Sequence, residues 1–198
     1  MKTYLDARIW KFIGLYLYQY VNTILVSLYL GDQLSLSEVL VCQLLYLASL
    51  IWLLKKCSRY KFGQSRLVWL VTCLGSMLLI SVLVGILWPI TSTNQTSLIS
   101  VQSQLPLAVF ILFLTNASLV EELVYRGYLW SVLPKPYQSL LVTSLVFALA
   151  HQPDSLGSWV VYGSLGLGLG AMRQKTDLVG ATGLHLVWNG LVLLTTFL

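Results

Sequence analysis

Three short groups of residues set chemically capable side chains in apolar surroundings. Glu121 and Glu122 are adjacent, and Arg126 follows the second acid at four residues. His151 closes Phe147-Ala-Leu-Ala-His151, and His185 opens His185-Leu-Val-Trp-Asn189. A spacing of four puts both members of a pair on one helix face. Glu122 and Arg126 can therefore form an ion pair, while Glu121 points about 100° away and is left for another task. A Glu–His pair can bind a water and take its proton. A second His with an Asn can donate hydrogen bonds to a developing oxyanion. Glu121, His151 and His185 also make up a three-ligand zinc set, whose bound water would ionise near neutral pH. The plainer alternatives are that the acids anchor a helix end and that each His packs in a core or sits at an interface. Against them stands the distribution: the chain has two His and seven Asp and Glu, and ionisable groups inside apolar spans mark functional sites by default.

The elements that must carry these groups are membrane helices. Of the 198 residues, 57% are apolar and 10% charged, where a soluble domain carries roughly a quarter charged. The mean hydropathy is +0.79. Stretches near 12–30, 34–54, 67–88, 105–125, 137–152, 157–172 and 178–197 are long enough, or nearly so, to cross a hydrocarbon core that needs about 20 helical residues. The fifth and sixth are short. The runs are too long and continuous for barrel strands, and helices satisfy their backbone internally in lipid. The expected fold is an all-α polytopic bundle of about seven transmembrane helices. It reads as one domain over 1–198, with the motif-bearing half at about 105–198.

Charge sets the orientation. With the N-terminus inside, the inner loops take all twelve Lys and Arg, Arg126 and Lys135 among them. The outer side takes Asp32, Asp154 and the uncharged stretch 89–104. That asymmetry predicts an N-inside, C-outside topology. It also explains the net charge of +5 by topology and anionic lipid, not by nucleic acid. The first span follows a basic start and contains Gln19 and Asn22, with no cleavage signal after it, so it reads as retained.

Other motifs have structural explanations. Ser35-Leu-Ser-Glu38 fits a helix capping box. Gly163–Gly170 lacks the spacing of a nucleotide loop, and Gly166 with Gly170 instead forms a close-packing helix face. Cys42, Cys57 and Cys73 show no paired spacing that would indicate a disulfide framework or zinc knuckle.

In their order on late spans, E-E-x-x-x-R (121–126), F-x-x-x-H (147–151) and H-x-x-x-N (185–189) resemble the CPBP intramembrane proteases. These are the CAAX-processing and bacteriocin-processing enzymes, also called the Abi family. The resemblance covers about 105–198. It implies a helical membrane peptidase with its site buried in the bundle, hydrolysing a membrane-associated peptide or protein. By position, Glu121 and His151 would activate water. His185 and Asn189 would stabilise the tetrahedral intermediate or complete a metal site. Glu122 and Arg126 would brace the first motif, with Tyr125 and Phe147 in support. A divalent metal such as zinc on Glu121, His151 and His185 is an open possibility, and a bacterial cell membrane is the expected location. Two other functions compete: a binding protein of the bacteriocin-immunity kind, and an ion or proton transporter. Transporters often show internal repeats, and none is visible. One depth count resists the scheme. At 1.5 Å per residue, His151 falls about 10 Å too far toward the outer side to meet Glu121 and His185.

Overall fold

The structure, a computed structural model, describes residues 2–58, 65–88 and 93–195, and these are helical with no strand among them. Helices α1 (Lys2–Tyr18) and α2 (Tyr20–Leu30) form one rod interrupted at Gln19. A turn at Gly31 and Asp32, whose φ is 56°, leads to α3 (Leu36–Cys57). The capping box predicted there is present: Ser35 N donates to Glu38 Oε2 at 2.7 Å, and Glu38 N donates back to Ser35 Oγ. Helix α4 (Ser65–Leu87) follows.

Stretch 89–104, read as an outer loop, needs correction. Residues 93–104 form helix α5 (Thr93–Gln104), and 89–92 lie outside the described residues. Leu98 and Val101 pack against a core of Val26, Val39, Val109 and Phe110, which gives this polar segment an apolar footing.

Helix α6 (Leu107–Glu122) is the axis of the molecule. It runs on without a break through a π-helical segment, Leu123–Leu129, into the short α7 (Trp130–Val132). The span expected to end at 125 thus ends at 132. Arg126, counted as an inner-loop charge, lies inside this rod and is fully buried. It can stay there because Glu122 neutralises it one turn away. Helix α8 (Pro136–Ala150) opens with a proline, whose fixed φ suits a first helical turn. Helix α9 (Leu156–Lys175) starts from Ser155, which caps Ser158. Asp177 accepts from Gly180 N at the start of α10 (Leu178–Thr195) and forms an ion pair with Arg66 at the start of α4.

Four stretches, Arg8–Leu30, Leu36–Cys57, Arg66–Leu87 and Leu107–Val132, are long and apolar enough to cross a membrane; α8 and Leu178–Leu194 are shorter apolar helices. Large apolar side chains cover the outside, including Leu45, Leu67, Val71, Leu79 and Ile86. A continuous outward apolar surface of this kind fits lipid as the solvent. The Leu107–Val132 rod differs from the other three: 56% of its most apolar window is buried, against 17–22% for the rest. Helices α1, α2, α3, α8 and α10 pack against it and α9 reaches it through Arg126, and the core joins Leu119, Leu123 and Tyr125 to Tyr46, Leu50, Phe147, Leu169 and Leu184. The close approach of α9 to α8 depends on the glycine pair read from the sequence. A Cβ on Gly166 would sit 2.8 Å from the Ser144 carbonyl oxygen, and one on Gly170 would meet Leu140.

Candidate active site

The two adjacent acids end the α-helical part of the central rod, just before it widens into the π segment. Such π turns carry an i→i+5 repeat and often sit at functional sites. The carboxylates face different surroundings. Glu122 is wholly buried; its Oε1 accepts from Arg126 Nη1 at 3.0 Å and lies 3.0 Å from His185 Nδ1. Glu121 keeps part of its side chain open to a cavity of about 420 Å3 that it lines with Tyr125 and His151. Its Oε2 has no hydrogen-bond partner.

Arg126 ties the rod to α9 by donating from Nη2 to the Gly166 carbonyl at 3.0 Å, the carbonyl exposed by the glycine face. Its own carbonyl accepts from Arg173 Nε at 3.0 Å. A buried ion pair of this kind is sustained only when further hydrogen bonds satisfy its polar atoms.

Both histidines are oriented through Nδ1. His151 is the last residue of the α8 turn, and its Nδ1 lies 2.7 Å from the carbonyl of Phe147. A carbonyl only accepts, so Nδ1 carries the proton. His185 turns Nδ1 toward the Glu122 carboxylate. In both rings this leaves Nε2 facing Glu121 Oε2, at 3.9 Å in each case. In the neutral rings Nε2 is an acceptor. Acceptor atoms from two further helices therefore face the same Glu121 oxygen, each close enough to share a small donor with it.

Aromatic rings frame this point. Phe147 packs against His151 (centroids 4.4 Å apart) and edge-on to His185 (5.9 Å) and Tyr125 (5.7 Å, 84°). The Arg126 guanidinium lies 4.5 Å over the Phe147 ring, within cation–π range. Tyr162 of α9 stacks on the other face of the site, 4.6 Å from the His151 ring. Gln152, beside His151, also lines the cavity and has a left-handed φ of 48°, a strained backbone for a side chain with a Cβ.

Glu121, Glu122, Arg126, Tyr125, Phe147, His151 and His185 are thus brought together. Asn189 is not among them. Its Nδ2 donates to Ser118 Oγ at 2.8 Å, and it lines a separate, smaller cavity with Ser118 and Leu193. The depth conflict over His151 narrows for a definite reason. The rod extends seven residues beyond 125, so α8 starts further in than the apolar pattern suggested. Glu121 to Val132 covers about 16 Å and Pro136 to His151 about 22 Å at 1.5 Å per residue, a gap that helix tilt can close.

Sequence reasoning missed Tyr162, Ser118 and the contribution of the first rod. Tyr16, Gln19, Tyr20, Asn22 and Thr23 all line the Glu121 cavity. Gln19 and Asn22 were visible as polar residues in an apolar span, but nothing local linked them to a site a hundred residues away.

Residues 103–191 match the family described as type II CAAX prenyl endopeptidase Rce1-like, a segment that includes all three motifs and excludes α1–α4. The chain is also similar to UPF0177 protein YvdC of Lactococcus lactis subsp. lactis (strain IL1403). The two are 37% identical over 127 residues, which cover 59% of this chain and 49% of that protein. The chain therefore spans about half the length of this curated relative. No solved structure matches.

Proposed function

We propose, from the match of residues 103–191 to the Rce1-like family, that this chain is an intramembrane endopeptidase that cleaves a peptide bond of a membrane-associated peptide or protein with water activated by Glu121. The observation that carries this reading is that His151 Nε2 and His185 Nε2 both lie 3.9 Å from Glu121 Oε2, with Glu121 and His151 also lining the cavity.

A water between them can donate one hydrogen to Glu121 and the other to His151 Nε2. As its oxygen attacks the substrate carbonyl carbon, Glu121 takes a proton and later passes it to the leaving amine, so the proton balance closes on one carboxylate. His185 has the complementary task. Its Nδ1–H is held by the Glu122 carboxylate, so Nε2 stays an acceptor facing Glu121 Oε2 and receives the hydroxyl hydrogen of the tetrahedral intermediate. Glu122 and Arg126 hold His185 in place. Phe147 fixes His151 through its carbonyl and, together with Tyr162, keeps bulk water from the ring. Asn189, bonded to Ser118, holds α10 against α6 one turn from His185.

Glu121, His151 and His185 are the donor types of a catalytic zinc site, but their spacing differs. Ligand atoms sharing one tetrahedral zinc at about 2.0–2.2 Å lie roughly 3.4 Å apart, and Glu121 Oε2 stands 3.9 Å from each of the two His Nε2 atoms. Among the described residues no group of three or more His, Cys, Asp or Glu has metal-holding geometry. The steps above accordingly use water and the chain's own side chains.

The family description makes a prenylated CAAX-terminated peptide the first substrate to try, and the Lactococcus relative fits a bacterial membrane. In liposomes the full chain is expected to cleave a farnesylated CAAX peptide. Glu121→Gln should slow cleavage by about 10²–10⁴-fold, the span of general-base catalysis, with little change in thermal unfolding, because Oε2 has no bond to lose. Cleavage that survives this substitution would refute the assignment of the base.

A further inference from the structure

Helix α2 lies outside the residues that match the family, yet it forms a wall of the catalytic cavity. One residue on it does not fit a purely structural role. Asn22 stands in an apolar helix, is 2% exposed and lines the cavity with Glu121 and His151. Its Nδ2 donates to the Phe113 carbonyl of α6 at 2.9 Å, which fixes the amide plane. Its Oδ1 then has no hydrogen-bond partner. A buried acceptor left unmet costs about 1–3 kcal/mol, so a held, unsatisfied oxygen on a residue that lines the cavity points to a ligand whose donor reaches it as the wall yields slightly.

The donor that the reaction brings is a backbone N–H. A peptide bond inside a helix has its carbonyl and N–H engaged, so the substrate must unwind where it is cut. Within a bilayer each freed N–H then needs an acceptor. Glu121 and His151 are committed to the water, and of the other polar residues that line the cavity, Tyr16, Gln19, Tyr20, Thr23, Tyr125 and Gln152, none is a buried amide held by one hydrogen bond with its oxygen unmet, as Asn22 is. We infer that Asn22 is a substrate-binding residue whose Oδ1 accepts a backbone N–H of the polypeptide flanking the scissile bond, so that the substrate lies extended between α2 and the Glu121–His151 wall. The inference rests on the endopeptidase reading above and extends it: it names the substrate class as a locally unwound chain, held by its backbone. The break at Gln19, one turn before Asn22, belongs to the same wall, where the Gln19, Tyr20 and Thr23 side chains add further polar groups.

The test uses the full chain in lipid nanodiscs, with Glu121→Gln to prevent turnover, and a farnesylated CAAX peptide whose amides are N-methylated one at a time. One methylated position should weaken binding by about tenfold, the equivalent of about 1.4 kcal/mol. Asn22→Leu should weaken binding of the unmethylated peptide by a similar factor, and methylation at that position should then have no further effect. In the cleaving enzyme Asn22→Leu should raise KM more than it lowers kcat, a split that general loosening of the fold does not produce. The inference is overturned if no methylation weakens binding to the Asn22 protein, a result that needs no variant at this position. It is also overturned if the methylation penalty persists in full in Asn22→Leu, or if the peptide fails to bind. Coupling between Asn22 and one amide, in a protein whose cleavage ignores Glu121, would sink the catalytic reading and keep the subsite. Glu121-dependent cleavage without that coupling would do the reverse.

Discussion

Replacing Arg126 by Met should destabilise the protein far more than replacing Arg126 and Glu122 together. Arg126 and Glu122 have no exposed side-chain surface and lie 3.0 Å apart. Removing the guanidinium leaves a buried carboxylate with His185 as its one remaining partner, a change that typically costs about 3–5 kcal/mol. It also strips the Gly166 carbonyl of its donor, which adds about 1–3 kcal/mol. The expected loss is about 4–8 kcal/mol, or roughly 10–25 °C in unfolding midpoint for a chain of this length. In Glu122→Leu/Arg126→Met no charge is stranded. The residual cost is then about 1–3 kcal/mol from the orphaned carbonyl and from His185 Nδ1, roughly 3–10 °C. Cleavage should nevertheless be poor in both proteins, because His185 loses the partner that orients it. The assay is thermal unfolding in detergent beside peptide cleavage in liposomes. A double variant as unstable as the single one would refute the ion-pair argument. A double variant with full activity would refute the role given to Glu122 and His185.

Three further outcomes follow from the same geometry. Gly166→Ala would place its Cβ 2.8 Å from the Ser144 carbonyl oxygen and 3.0 Å from Ser144 Cα. These are backbone atoms with little freedom to yield, so stability should fall by about 1–3 kcal/mol, and activity with it, since the Gly166 carbonyl holds Arg126. Asn189→Leu and Ser118→Ala should each lower the unfolding midpoint by the worth of one hydrogen bond, about 1 kcal/mol, and slow cleavage to a similar extent, with the double variant little worse than either. A loss in Asn189→Leu that Ser118→Ala does not share would mean that Asn189 acts on the substrate directly. Cleavage should persist in excess chelator; its loss, with recovery on adding zinc, would establish a metal route through Glu121, His151 and His185.

Interactions close in the chain were legible from residue types and spacing. The Glu122–Arg126 pair, the turn joining Phe147 to His151 and the Ser35–Glu38 cap all span three or four residues, and helix geometry alone sets such contacts. The apolar pattern likewise marked most helices, because lipid requires long runs of similar residues. It failed where polarity and structure part. Polar α5 looks like a loop, and the central rod continues past a charged Arg126 because Glu122 neutralises it.

The sequence by itself determined the helical class, the three motif pairs and the different facing of Glu121 and Glu122, since each follows from periodicity along one helix. Tertiary structure alone decided that His185 meets Glu122 across 63 residues, that Arg126 finds the Gly166 carbonyl across 40, that Asn189 turns to Ser118 and that Asn22 reaches Phe113 across 91. The physical reason is that an apolar span is compatible with many neighbours and rotations. Only the packing of all the helices, set by close approaches such as Gly166 on Ser144, selects which polar groups share one cavity.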